Sequence, residues 1–273
     1  MWRKARKTHF NMAVFHDQLN RVVSLSATPQ RIISIVPSQT ELLFYLGLDT
    51  EVIGITKFCI HPEDKFKALA KVGGTKQLNI DQIRALKPDL IIANKEENER
   101  SQVEELMNIC QVWISDIHDL DSALEMIRTV GLLVNRETEA QALYRDIISS
   151  FAHLALPAIN LSIAYFIWRK PYMVAGSGTF IDNMLQRCGL INAIDKDRYP
   201  EITPQEIIAI SPDLIFLSSE PYPFKQKHID EFKLMLPHAK VILVDGEMFS
   251  WYGSRLLYAA GYFKTIMQAL TLN

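Results

Sequence analysis

Cysteine is scarce in this chain of 273 residues: only Cys59, Cys110 and Cys188 are present. Three scattered thiols leave at least one unpaired and exclude a disulfide framework, which suits a reducing compartment. Charge of one sign is lacking too. The formal net charge is -2, so no global field draws the chain to nucleic acid or to an anionic membrane, and neither partner is expected. No run of about 18 apolar residues occurs, so no transmembrane helix is expected. The basic start MWRKARKTHFNMAVFHDQLN never opens an unbroken apolar run, because His9, Asn11 and His16 interrupt it. Neither a small-residue cleavage site nor a lipidation cysteine follows, so the chain as written reads as carrying no export signal. The phrases GxxxxGK[ST], GxGxxG, GxSxG and HExxH are all missing. Without them, no phosphate cradle, dinucleotide fold, activated serine or zinc protease helix is indicated, and catalysis is unsupported.

What the chain does have is a globular composition, 48% hydrophobic against 22% charged, and a phrase written twice. KPDLIIA at 87–93 returns as SPDLIFL at 211–217, and 212 minus 88 gives the same offset, 124, as 213 minus 89. The flanks NIDQIRAL and TPQEIIAI agree in type. Each copy reads as the end of a helix, a Pro-Asp turn and a buried strand. Two copies at so long a spacing predict two similar lobes rather than a solenoid, and the length accommodates two domains of about 100 to 150 residues.

After a short hairpin in FHDQLNRVVSL, β-branched runs such as RIISIVP, DLIIAN, DLIFLS and KVILVD alternate with helical periods. Such alternation predicts parallel sheets built from βα units. Residues 136–158 place Ala140, Leu143, Ile147 and Phe151 at helical spacing, which predicts one long, stiff connecting helix. The expected fold is therefore α/β. It comprises an N-terminal extension (1–15), an N-terminal lobe (16–135), the connecting helix (136–158) and a C-terminal lobe (159–273), with a ligand cleft between the lobes.

Ligands of open parallel α/β sheets bind outside the carboxyl ends of the strands. The loops there combine rings and cations: Trp168, Tyr172, Tyr199, Tyr222, Phe224, Phe249, Trp251 and Tyr252 with Lys57, Arg169, Lys170, Arg198 and Arg255. Flat rings cover a bulky ligand and cations oppose its carboxylates, so WRKPYM and FSWYGSR are assigned a ligand role. Cys59 and His61 stand two apart and could face one metal, but no second pair completes a site, and a buried thiol beside a loop histidine is the plainer reading. The segment AGSGT (175–179) could cradle an anion, although Ser177 and Thr179 are adequately explained as helix caps. The repeat also matches Glu96 with Glu220. Two such carboxylates could grip a partner's arginines, or they are solvated surface charge.

The succession DQLNRVVSL, PQRIISIVPSQTELLFYLGL, VIGITKFCIHP and VGGTKQLNIDQIRALKPDLIIAN, followed by SPDLIFL, resembles the helical-backbone metal-receptor superfamily over residues 16–270. These are periplasmic substrate-binding proteins of ABC importers for cobalamin, ferric siderophores and haem, and the likeness is strongest to the cobalamin-binding type. The resemblance implies a non-catalytic, monomeric receptor without a cofactor of its own, delivering a metal chelate to a permease. It implies that Pro37, Ser38 and Gln39 edge the pocket, that Tyr199 fills an aromatic wall, and that the loop bearing Phe249, Trp251, Tyr252 and Arg255 closes the other side. It also implies one docking glutamate per lobe: Glu220, and one of Glu96, Glu97 and Glu99. Two departures stand out. Asn94 replaces the tryptophan that follows the first-lobe strand in the cobalamin-binding type, and no export signal precedes the match. The alternative is a cytoplasmic metal- or corrinoid-handling protein or enzyme on the same scaffold, using Cys59, His61, Arg169 and Lys170.

Overall fold

The computed structural model describes residues 12–154, 156 and 160–271. Most of the expected N-terminal extension, and residues 155 and 157–159 at the end of the expected connector, lie outside the described residues. The chain divides into two compact units. One runs through Asp116 and adds Arg128–Gln141; the other comprises Ile117–Ile127 and Ala142 onward.

The first half of the chain runs β1 (Ala13–His16), β2 (Val22–Leu25), β3 (Ile32–Ser34), α1 (Pro37–Tyr45), β4 (Val52–Ile55), α2 (Glu63–Phe66), β5 (Ala70–Lys71), α3 (Ile80–Leu86), β6 (Leu90–Asn94), α4 (Arg100–Leu106) and β7 (Gln111–Ser115). Helices α5 (Leu120–Leu133) and α6 (Glu137–Ala152) follow. The second half continues with β8 (Ser162–Arg169), β9 (Tyr172–Val174), α7 (Phe180–Arg187), β10 (Ile191–Asn192), α8 (Pro204–Ile210), β11 (Leu214–Ser218), α9 (Gln226–Met235), β12 (Lys240–Val244), α10 (Glu247–Ser250) and α11 (Leu256–Thr271). Among the described residues no helix is long and apolar enough to cross a membrane.

The first sheet has the order β5-β4-β3-β6-β7, all parallel. The second has the order β10-β8-β11-β12, also parallel, with β9 antiparallel on β8. Every residue of β3, β6 and β11 is buried, as expected of parallel strands covered on both faces. Their apolar runs supply the two cores, one around Ile33, Ile83, Ile91 and Val103 and the other around Phe166, Ile207, Ile215 and Phe232. The predicted hairpin is β1–β2. Asp17 Oδ1 accepts the backbone N–H groups of Leu19 and Arg21 and so fixes its turn.

The duplicated phrase is duplicated geometry. Helices α3 and α8, and strands β6 and β11, start and end at positions offset by 124 (80 and 204, 86 and 210, 90 and 214, 94 and 218). Both helices end on a left-handed residue, Lys87 at φ 48° and Ser211 at φ 52°. The following Pro then starts the turn. The Asp of each copy braces the strand next door. Asp89 accepts the N–H groups of Gln30 and Arg31 at the entry to β3, and Asp213 accepts the N–H and Oγ–H of Ser162 at the start of β8. Asn94 and Ser218 then end their strands by accepting the N–H of Glu96 and of Glu220, two residues on.

The helix expected at 136–158 is present as α6, Glu137–Ala152, with α5 directly before it in the chain. Helix α5 ends at Leu133, Asn135 follows with a left-handed φ of 56°, and α6 begins at Glu137. Gly131 lets the two helices meet here, since a Cβ on it would collide with Ala140. Both helices contribute residues to both units, and α6 stops at Ala152. Sequence periodicity finds a helix by its apolar stripe, but it does not report which core each part of the stripe enters.

Candidate functional site

In the first sheet, the chain leaves β3 toward β4 and β5, and β6 leads the other way to β7. The strand order therefore reverses between β3 and β6, where an open α/β sheet presents its binding surface. The carboxyl ends of these strands carry the start of α1 and the loop Asn94–Glu97. Pro37 occupies the first turn of α1, and no side chain caps that helix. Ser38 and Gln39, expected at a pocket edge, lie beneath the surface together with Pro37. The Nε2 of Gln39 donates to Ser115 Oγ, which also receives Asn94 Nδ2 and donates to the Ala93 carbonyl. Ser38 Oγ and Gln39 Oε1 have no hydrogen-bond partner among the described residues.

Asn94, expected at the ligand, lies beneath the surface at the end of β6. It is buried, its Oδ1 accepts the N–H groups of Glu96 and Glu97, and its own N–H donates to Asn98. An asparagine side chain suits this task because it mimics a backbone turn. The exposed apolar surface comes instead from the loop after β4, where Phe58 is 51% and Ile60 44% exposed. Exposed Lys57 lies over the Phe58 ring at 5.1 Å. Between them Cys59 points inward, its Sγ 3.1 Å from Thr40 Oγ1 and 3.2 Å from Thr56 Oγ1. Burial pushes its thiol up from the ordinary value. Cys59 and His61 therefore do not present a joint pair of ligands. Among the described residues no three His, Cys, Asp or Glu groups gather as a metal site.

In the second sheet, the order reverses between β8 and β11. Trp168 at the end of β8 is 39% exposed, and its Nε1 donates to the Lys170 carbonyl. Its ring meets Tyr222 edge-on at 5.7 Å, and Tyr222 in turn meets Phe224 at 4.8 Å. Lys170 is exposed and Tyr199 half-buried. Arg169 is paired within its own unit: its Nε and Nη2 donate to Glu231 Oε2 at 3.1 and 2.7 Å. Tyr172 donates to the other oxygen of the same carboxylate. Burial, with that hydrogen bond, pushes the Tyr172 phenol up to about 12.

The FSWYGSR loop departs most from its expected role. Phe249 is a core residue packed on Tyr165, Phe216 and Phe263. Trp251 and Tyr252 are buried, and Arg255 pairs with Glu247 at 3.3 Å and lies over the Trp251 ring. Glu220, expected as an exposed docking group, turns inward. Its Oε1 accepts from Ser250 Oγ at 2.6 Å and Trp251 Nε1 at 2.9 Å, and burial raises its carboxyl above the usual range. In the first unit Glu96 and Glu97 are half-buried and Glu99 is exposed. The AGSGT segment forms caps: Thr179 Oγ1 accepts the Asp182 N–H, and Ser177 Oγ donates to Asp197. With Asp182 already in its first turn, α7 offers no vacant N-terminus.

Of the expected residues, the two switch points bring forward Lys57 in the first unit and Trp168 and Lys170 in the second. Sequence reasoning missed Phe58 and Ile60. Their signal was available in KFCIHP, where two large apolar residues flank a cysteine in a loop at a strand's carboxyl end.

Two α/β units carry exposed apolar side chains, Phe58, Ile60 and Trp168, near the carboxyl ends of parallel strands. A family model described as periplasmic binding protein matches residues 32–235, and the chain belongs to that family of non-catalytic binding proteins. It is 25% identical over 253 residues to a vitamin B12-binding protein of Pectobacterium carotovorum subsp. carotovorum (strain PC1), covering 90% of this chain and 91% of the relative. It is also 25% identical over 266 residues to the uncharacterized ABC transporter substrate-binding lipoprotein YvrC of Bacillus subtilis (strain 168), covering 92% of this chain and 84% of that one. A periplasmic haem-binding protein from Pseudomonas aeruginosa shares the fold, with a TM-score of 0.76 at 20% identity over 88% of this chain and 92% of its own.

Proposed function

We propose that the protein is the receptor of an ABC importer and binds a metal chelate with a broad apolar face, a corrinoid, haem or a ferric siderophore. The observation that carries this reading is the exposed apolar surface at each switch point, Phe58 with Ile60 on one unit and Trp168, backed by half-buried Tyr222, on the other. Large rings held in water are costly unless a ligand covers them. The relatives' names support cobalamin and haem as the first ligands to try. They also support a place outside the cytoplasmic membrane, free or tethered, with a permease as partner, and we take the monomer as the acting form. Glu99 is the exposed first-unit carboxylate we assign to docking; Glu220 is committed to Ser250 and Trp251. The cytoplasmic alternative is disfavoured at two of its four groups, since Cys59 is enclosed by two threonines and Arg169 is held by Glu231.

The test is a titration of the purified protein with cyanocobalamin, haemin and a ferric siderophore, read by tryptophan quenching and compared with the variant Trp168→Phe. Saturable quenching at micromolar concentration by one chelate, diminished in the variant, is the expected result. Flat curves for all three would remove the reading.

A further inference from the structure

Asn98 sits under the binding surface of the first unit and joins three of its loops. It is buried. Its Oδ1 accepts the Asn94 N–H at 2.8 Å, at the end of β6. Its Nδ2 donates to the Ile35 carbonyl at 3.1 Å, in the turn from β3 into α1, and to the Thr75 carbonyl at 3.1 Å, in the loop after β5. Both amide donors and one of the two acceptor positions are thus spent on backbone, one bond per loop. Three further bonds tie the 76–78 stretch to the chain after β6: Gln102 of α4 donates through Nε2 to the Lys76 carbonyl and accepts the Leu78 N–H on Oε1, and Lys76 Nζ donates to the Glu96 carbonyl.

The loop held through Thr75 reaches the exposed ring directly. Gly74 lies so close to Phe58 that a Cβ on it would stand 3.0 Å from the ring edge, so the position of that loop sets the position of Phe58. We infer that Asn98 is a positioning residue for the binding surface, fixing the presentation of Phe58 through the 73–77 loop without touching the ligand. This inference rests on the chelate-receptor reading for its binding arm only.

The experiment compares Asn98→Asp and Asn98→Ala with the parent and with Phe58→Ala, on full-length protein whose fold is checked by circular dichroism. Asp keeps the acceptor for Asn94 but loses both donors; Ala keeps nothing, and serves where Asp fails to fold. Leaving two buried carbonyls unpaired is expected to make the 73–78 amides of the unliganded protein exchange hydrogen roughly tenfold faster. It is expected to weaken cyanocobalamin or haemin binding by roughly tenfold, and to add little in the Phe58→Ala background. Unchanged exchange at 73–78 overturns the inference, as does an equal loss of affinity with and without Phe58. If the parent binds neither probe, the functional reading fails, and the exchange arm alone decides for or against the positioning role.

Discussion

Phe58 and Phe249 are the same residue type with opposite assignments, and burial is what separates them. Phe58 stands half in water on a strand-end loop, whereas Phe249 is enclosed by Tyr165, Phe216 and Phe263. Truncating Phe249 to Ala leaves a cavity and should lower stability by about 3–5 kcal/mol, measured by denaturant unfolding. Truncating Phe58 to Ala should leave stability within about 1 kcal/mol and weaken chelate binding roughly tenfold, measured by quenching titration. The thiols obey the same logic. Burial raises Cys59, and it pushes Cys110 and Cys188 up to about 12, so each stays neutral at pH 8. Only the thiolate attacks Ellman's reagent. Native protein at pH 8 should therefore react at least roughly tenfold more slowly than protein unfolded in guanidinium, in which all three cysteines react.

At the scale of elements, the repeated Pro-Asp turn was legible because both copies write it with the same residues at one offset, although its aspartates act on backbone 51 to 59 residues away. Proline stops the helix, and aspartate reaches backbone N–H groups at the start of the neighbouring strand. Asp213 tests this. Bonds from the Ser162 hydroxyl and N–H hold its carboxyl below the ordinary 3.8. A depressed folded-state value means that the contribution is complete above the unfolded value and is lost as pH falls through the folded one. Asp213→Ala should thus lower Tm modestly at pH 7, the group being solvent-screened. The gap to the parent should close as pH falls below the unfolded value and through the lowered folded-state one in a thermal-unfolding series. Glu220 marks the limit of such reading. The repeat places its backbone like that of Glu96, but Ser250 and Trp251, thirty and thirty-one residues further along, turn its side chain inward.

For the whole molecule, belonging to a family of binding proteins carries a thermodynamic expectation. A chelate that binds only the folded chain raises its stability by about 2.7 kcal/mol at a hundred times its Kd. The chelate that quenches Trp168 should therefore also raise Tm in proportion to log concentration, and a quenching ligand that leaves Tm unmoved would be acting optically rather than by binding. Amino-acid order by itself determined the βα alternation, the two-fold phrase, the hairpin and the helix stops, because each depends on periodicity, on φ restriction or on bonds between residues that a turn brings together. It also determined that rings and cations collect at strand ends. Which of those rings reach water was decided only by tertiary structure. Trp168 and Phe58 stay out, while Phe249, Trp251 and Tyr252 go in. Asn94 becomes a turn, Arg169 is taken by Glu231, and α5 and α6 divide their residues between two cores. The physical reason is the same in each case: exposure and pairing depend on neighbours distant in the chain, and no local pattern records them.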